Sequence, residues 1–287
     1  MKTVTLNAPA KINLYLDVLG RRHDGYHDIE SIMQTVSLCD VIEVTAADSG
    51  ITLSASADTV PLDERNRAYK AAKLFFDKTG INGGAKIHIE KRIPVSSGLA
   101  GGSTDAGATL KALNEIFDYP LTEDELLALG GNLGADVPFC MVGGCALCEG
   151  IGEKLKKLPS MTPYTVVIAR GGEGVSTPKA YGMLDEKYGD ELAKPFADIS
   201  KVIDAINNDN ITEVCNSVYN TFESVVLPTH PEATLYREKL LEYGAVCAMM
   251  SGSGPAVFGI FDDTEKADYA HHYLYDMGAK SFVCTAK

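Results

Sequence analysis

The stretch IPVSSGLAGGSTDAGATLKALN, Ile93 to Asn114, sets Gly98, Gly101 and Gly102 and a string of hydroxyls between a strand-like run and a helix-like run. Before it, AKIHIEKRIP alternates Ala85, Ile87 and Ile89 against Lys86, His88 and Glu90, the period of a half-buried strand. After it, Ala108, Leu110, Ala112, Leu113 and Phe117 recur at helical spacing. Glycines leave backbone N–H groups unobstructed, and a helix N-terminus adds unpaired donors and partial positive charge, so strand, glycine loop and helix together suit an anion. No Lys-Ser or Lys-Thr follows at P-loop spacing, no GxGxxG is present, and the HRD and DFG words of protein kinases are absent. Taken alone, the loop serves equally as a tight packing turn.

Working outward, INLYLDVLG and VIEVTAA read as strands, and NRAYKAAKLFFDKTG reads as a helix closed by Gly80. LTEDELLALGG opens with a capping box of Thr122 and Glu125. CMVGGCALCEG reads as a buried apolar strand, so its Cys145 and Cys148 are core residues rather than a metal pair. Turn residues and two late prolines near 155–163 suggest a division into domains 1–157 and 158–287. The second half begins with the strand YTVVIAR and ends strand, glycine turn, strand, helix, strand.

At 287 residues the chain is long enough for two cores, and 45% hydrophobic with 23% charged residues is a globular composition. The formal charge of −13 argues against a nucleic-acid partner, because phosphate backbones are held by basic patches. No apolar run approaches the roughly 20 residues of a membrane span, and seven scattered cysteines read as reduced thiols, so the expected location is the cytoplasm.

Two further stretches join the loop. NAPAKINLYLDVLG sets Lys11 and Asn13 on one side of a strand, and MMSGSGPAVFG is a second small-residue turn between strands. In order, APAKINLYLDV, PVSSGLAGGSTDAG and SGSGPAVFG resemble the three motifs of the GHMP kinase superfamily, and the resemblance runs from residue 8 to 259. RRHDGYHDIESIMQ, GADVPF and EGIGE are similar to the branch of that superfamily acting on 4-diphosphocytidyl-2-C-methyl-D-erythritol in the non-mevalonate isoprenoid route.

The resemblance implies an α+β protein of two domains, ribosomal-protein-S5-like then ferredoxin-like, with the site between them. It implies transfer of the ATP γ-phosphoryl group to the 2-hydroxyl of that cytidine diphosphate sugar alcohol, with Mg2+ accompanying ATP and its protein ligands left open. Asp136, after a glycine turn and before a proline, becomes the candidate base, and Lys11 the cation beside the acceptor oxygen. Pro94, Val95, Ser96, Ser97, Gly98, Leu99, Ala100, Gly101, Gly102, Ser103 and Thr104 become the triphosphate cradle. Ala100 departs from the family's usual glycine, and its methyl calls for a negative φ. Asp105 reads as a first-turn acid favoured by the helix dipole.

Asn66 and Lys91 fall where the family contacts adenine, although Asn66 also fits a helix N-cap. Tyr26 and His27 are assigned to cytosine, Tyr181 to its opposite face, Asn13 to the substrate, and Gly252, Ser253 and Gly254 to its diphosphate. The alternatives are another metabolite kinase of the superfamily, the related diphosphomevalonate decarboxylase, or a catalytically silent nucleotide-binding member. Oligomeric state is not legible.

Overall fold

A computed structural model describes residues 2–286. Its strands are β1 (Thr3–Arg21), β2 (His27–Ala47), β3 (Gly50–Ala55), β4 (Gly84–Glu90), β5 (Cys145–Gly150), β6 (Lys154–Lys157), β7 (Thr165–Arg170), β8 (Tyr219–Asn220), β9 (Cys247–Met250), β10 (Val257–Phe261) and β11 (Lys280–Thr285). Its helices are α1 (Arg67–Thr79), α2 (Gly101–Ile116), α3 (Glu123–Leu133), α4 (Asp136–Val142), α5 (Thr177–Tyr188), α6 (Ile199–Asn207), α7 (Ile211–Ser217), α8 (Glu223–Val226), α9 (Pro231–Glu242) and α10 (Thr264–Asp276). Two compact units result. Of the described residues, the first comprises 2–10, 39–95 and 100–142, and the second 11–38, 96–99 and 143–286.

In the first unit β3 runs parallel to β4, and β4 runs antiparallel to residues 41–47 of β2. Its core packs Ile42, Val44, Ile87 and Ile89 of the strands against Ala71, Ala72 and Phe75 of α1 and Leu110 and Leu113 of α2. The boundaries of α1 follow their sequence signals. Asn66 Oδ1 accepts the Ala68 N–H at 2.8 Å, and Gly80 closes the helix at φ 66°. Likewise Thr122 and Glu125 form the reciprocal capping box of α3.

The expected strand over CMVGGCALCEG begins as helix. Residues 140–142 end α4, Gly143 and Gly144 turn the chain at φ 70° and 79°, and only then does β5 begin. Two consecutive left-handed residues stop a helix and redirect the chain, a conformation glycine adopts without the Cβ penalty. Cys145 and Cys148 are three positions apart on β5 and therefore lie on opposite faces, which separates their thiols.

In the second unit β5 pairs antiparallel with residues 29–34 of β2, β6 extends it, and β8 lies parallel to β1 at Tyr15 and Leu16. A separate antiparallel sheet takes the order β11-β7-β10-β9. Numbering its strands by sequence gives 4-1-3-2, with helices between the first and second and between the third and fourth: the ferredoxin-like arrangement expected of this half.

Asp17, fully buried on β1, fastens distant parts of this unit. Its carboxylate accepts the Val18 N–H at 2.9 Å, the Phe196 N–H at 2.7 Å, the Ala197 N–H at 3.3 Å and the Thr221 hydroxyl at 2.5 Å. A buried carboxylate is tolerated when several donors replace its water. Burial, and then the Asp17 charge, push the Tyr15 hydroxyl well above the usual phenol range.

Candidate active site

Alternation along β1 puts Lys11 and Asn13 on one face, as the sequence requires, and both are buried. Lys11 Nζ donates to Asn13 Oδ1 at 2.5 Å, Asn13 Nδ2 donates to Ser31 Oγ at 2.8 Å, and Ser31 Oγ donates to the Tyr15 carbonyl at 2.7 Å. The amide is thereby oriented by its neighbours, and it in turn aims the ammonium. An ammonium carries three donors, and among the described residues one of them is engaged by a side chain. No salt bridge to a described carboxylate neutralises it.

The glycine loop closes onto this group within the second unit. The Lys11 N–H donates to the Leu99 carbonyl at 3.3 Å, and Ser251 Oγ donates to the Gly98 carbonyl at 3.1 Å. A Cβ at Gly98, whose φ is +83°, would stand 2.0 Å from the Ser251 carbonyl oxygen, so only glycine permits this approach. The Ser251–Gly254 turn is held by Asn220 Nδ2, which donates to the carbonyls of Met250 at 2.7 Å and Gly252 at 2.9 Å. Of the three residues assigned to the substrate diphosphate, Gly254 spends its N–H on the Ser251 carbonyl at 3.0 Å, and Ser253 Oγ meets Thr177 Oγ1 at 3.1 Å.

Along the loop, Ser96, Gly98 and Ala100 have φ of 51°, 83° and 58°: every second residue is left-handed. Alternation of left-handed with right-handed residues is the pattern by which a turn gathers successive N–H groups into an anion nest. The expectation of a negative φ at Ala100 is thus corrected. Ala100 occupies the N-cap position of α2, where the left-handed turn lets its carbonyl accept the N–H groups of Ser103 and Thr104, both at 2.9 Å. The methyl costs roughly 1–2 kcal/mol in that conformation, which those bonds and the buried helix offset. No side chain caps α2, so its first N–H groups keep their donor capacity.

In the first unit Lys91 lies beneath the start of α2, with Nζ 3.0 Å from where a Gly101 Cβ would stand. It bonds Asp40 Oδ2 at 2.5 Å and Asp105 Oδ2 at 2.8 Å, while Asp40 Oδ1 accepts the N–H groups of Arg92 at 2.6 Å and Ile93 at 2.8 Å. One lysine between two buried carboxylates leaves an excess negative charge. Burial, resisted by Lys91 and reinforced by Asp40, raises the Asp105 carboxyl to about 7. Among the described residues, Asp105 Oδ1 and the adjacent Thr104 Oγ1 have no hydrogen-bond partner, and both are buried. Asp105 is the fifth residue of α2 and lies outside its first turn, which corrects the reading of it as a first-turn acid, and Lys91, assigned to adenine from the sequence, has its ammonium engaged by carboxylates. Asn66, the other adenine candidate, has its side chain engaged too, by Ala68 and by the Pro61 carbonyl at 2.9 Å.

Arg67 escaped the sequence reading. Its Nη1 donates to Ser103 Oγ at 2.7 Å and lies 3.0 Å from the Cβ position of Gly134, two residues before Asp136. The signal was present in principle: a cation at the first position of a helix opposes the dipole, which asks for another reason to be there. Asp136 itself opens α4 and is half-buried. The helix is seated by two glycines, because a Cβ at Gly107 would come within 2.7 Å of Met141 Cγ, and one at Gly130 within 2.9 Å of Met141 Sδ.

Tyr26 is 60% exposed on the turn before β2, and His27 beside it is buried. Tyr181 of α5 stacks on the His27 ring at 4.5 Å between centroids and 15° between planes. Among the described residues no group of three or more His, Cys, Asp or Glu side chains is arranged to hold a metal ion.

Residues 66–144 match the family model described as GHMP kinases N terminal domain, and residues 201–280 match GHMP kinases C terminal. The chain belongs to the GHMP kinases. It is 43% identical over 96% of its length to the 4-diphosphocytidyl-2-C-methyl-D-erythritol kinase of Clostridium acetobutylicum, covering 95% of that protein. It is 46% identical to the enzyme of that name from Caldicellulosiruptor bescii, over 91% of each chain. A crystal structure of 4-(cytidine 5'-diphospho)-2C-methyl-D-erythritol kinase superimposes with a TM-score of 0.83 at 32% identity over 99% of both chains. Homoserine kinase from Cytophaga hutchinsonii, at 19% identity and TM-score 0.76, shares the fold.

Proposed function

We propose that the chain transfers the γ-phosphoryl group of ATP to the 2-hydroxyl of 4-diphosphocytidyl-2-C-methyl-D-erythritol. The observation that carries this reading is the 43% identity, across 96% of the chain, to an enzyme of that name. Phosphoryl transfer asks the protein for positioning and charge stabilisation more than for covalent chemistry, and the residues supply both.

The nest of Ser96, Gly98 and Ala100 and the uncapped start of α2 receive phosphate oxygens. Arg67, held by Ser103, adds a guanidinium there. Lys11, buried and lacking a carboxylate partner among the described residues, stabilises charge as it develops on the transferring group and acceptor oxygen. Asp136 accepts the hydroxyl proton and orients that oxygen. Tyr26, His27 and Tyr181 receive the nucleobase. Magnesium accompanying ATP would be held from this chain by the Thr104 hydroxyl, which is buried and without a hydrogen-bond partner among the described residues, and would supply neutralisation of phosphate charge. Among the described residues no helix is long and apolar enough to cross a membrane, consistent with a proposed cytoplasmic location.

A coupled ADP-release assay tests the reading, with the diphosphocytidyl substrate in one arm and mevalonate and homoserine in others. Turnover in the first arm alone is expected. Asp136→Asn is expected to lower kcat by about 100-fold or more with KM changed little, and Tyr26→Ala to raise KM with kcat retained. Turnover of mevalonate or homoserine alone would replace the substrate assignment, and full activity of Asp136→Asn would remove that residue from the chemistry.

A further inference from the structure

Asp185, on α5 four residues beyond Tyr181, reaches the edge of the His27 ring: Nε2 and Oδ1 are 2.7 Å apart. One helix therefore offers an aromatic face and a carboxylate to one imidazole. The arrangement is braced on both sides. Phe222 meets Tyr181 edge-on at 4.9 Å and 80°, and Arg21 Nη1 stands 3.7 Å from the other oxygen of Asp185. The His27 side chain is 4% exposed and that of Asp185 29%, so little water competes for the pair.

A neutral imidazole has one donor nitrogen and one acceptor nitrogen, and a carboxylate can only accept. In the neutral ring, a 2.7 Å contact with Asp185 requires the proton on Nε2, which leaves Nδ1 as the acceptor. The 4-position distinguishes the two common pyrimidines, since cytosine bears an amino donor and uracil a carbonyl acceptor.

We propose that Asp185 is a positioning residue that fixes His27 as a hydrogen-bond acceptor at Nδ1 and thereby makes the nucleobase subsite select a 4-amino pyrimidine over a 4-oxo one. The inference rests on the proposed reading that His27 faces the base. A 4-oxo base meets the Nδ1 lone pair with its own, so one hydrogen bond is lost and a buried acceptor is left unpaired, a mismatch that sites built on hydrogen bonding reject strongly. An amide at position 185 can turn either its oxygen or its NH2 toward Nε2, which frees the ring to adopt the other tautomer.

The test compares kcat and KM for the cytidine and uridine versions of the diphosphate substrate in the wild type, Asp185→Asn and His27→Ala, together with 15N chemical shifts of the imidazole nitrogens. The wild type is expected to favour the cytidine substrate by about 100-fold or more in kcat/KM. Its Nδ1 should show the shift of an unprotonated nitrogen. Asp185→Asn is expected to lose at least about tenfold of that preference through KM, with kcat within two- to threefold. A protonated Nδ1 in the wild type, whether or not Nε2 is also protonated, would overturn the proposal. So would an Asp185→Asn variant that weakens both substrates equally or neither, while His27→Ala still abolishes the preference. If His27→Ala leaves both KM and the preference unchanged, the placement of the base at His27 fails instead, and the proposal falls with it.

Discussion

Replacing Asp105 by Asn should remove a pH dependence built into the base of the glycine loop. Asp105 shares Lys91 with Asp40, and burial raises its carboxyl from the ordinary 3.8 to about 7. A raised value means that the native state holds this proton more tightly than the unfolded chain does. The associated stability is complete below about 4 and is lost as pH climbs through about 7. The displacement is worth on the order of 4 kcal/mol. Asparagine keeps an oxygen for Lys91 but cannot ionise, so Asp105→Asn should gain about 2–4 kcal/mol relative to the wild type between pH 5 and 8. Urea unfolding midpoints at half-unit pH intervals, with fixed ionic strength, read this directly. A difference between the two proteins that stays flat across that range would refute the argument, because an Asp105 already ionised at pH 5 has no proton to lose.

Gly98→Ala places a Cβ 2.0 Å from the Ser251 carbonyl oxygen at a φ of +83°, so a loss of about 2–4 kcal/mol in thermal unfolding is expected, with weakened ATP binding by calorimetry. A near-neutral change would mean that the loop and the Ser251 turn do not approach as described. Ala100→Gly removes a methyl from a left-handed position, φ 58°, and should stabilise by up to about 1 kcal/mol after the greater freedom of glycine in the unfolded chain is deducted. Chemical denaturation would count against the assignment if the variant lost more than about 1 kcal/mol.

What the sequence disclosed follows the range of the interactions involved. The ends of α1 and the capping box of α3 were legible because Asn66, Gly80, Thr122 and Glu125 act on neighbours within a few residues. The same-face placement of Lys11 and Asn13 follows from strand alternation alone. Ala100 misled because a methyl ordinarily disfavours the left-handed region, and the bonds that hold it there belong to the geometry of the helix start. Asp40, Arg67 and Asp185 were passed over because their partners lie 51, 36 and 158 residues away, and nothing local marks them. The helical start of CMVGGCALCEG was hidden by an apolar run that serves helix and strand equally.

The bonds of Asp17 bear on how the chain can be made as well as on how it is held. They join residues 179, 180 and 204 positions apart. Every core residue of the first unit precedes residue 142. At about 5–20 residues per second, the ribosome delivers Thr221 some 10–40 s after Asp17. In the last part of that interval, after residue 142 has been made, the first unit can form its core while the Lys11–Leu38 segment, with its buried lysine and aspartate still in water, waits for the partners that will replace their hydration. Translation speed between residues 142 and 221 is thus a variable to which the yield of folded protein should respond, and one that no property of the finished site would reveal.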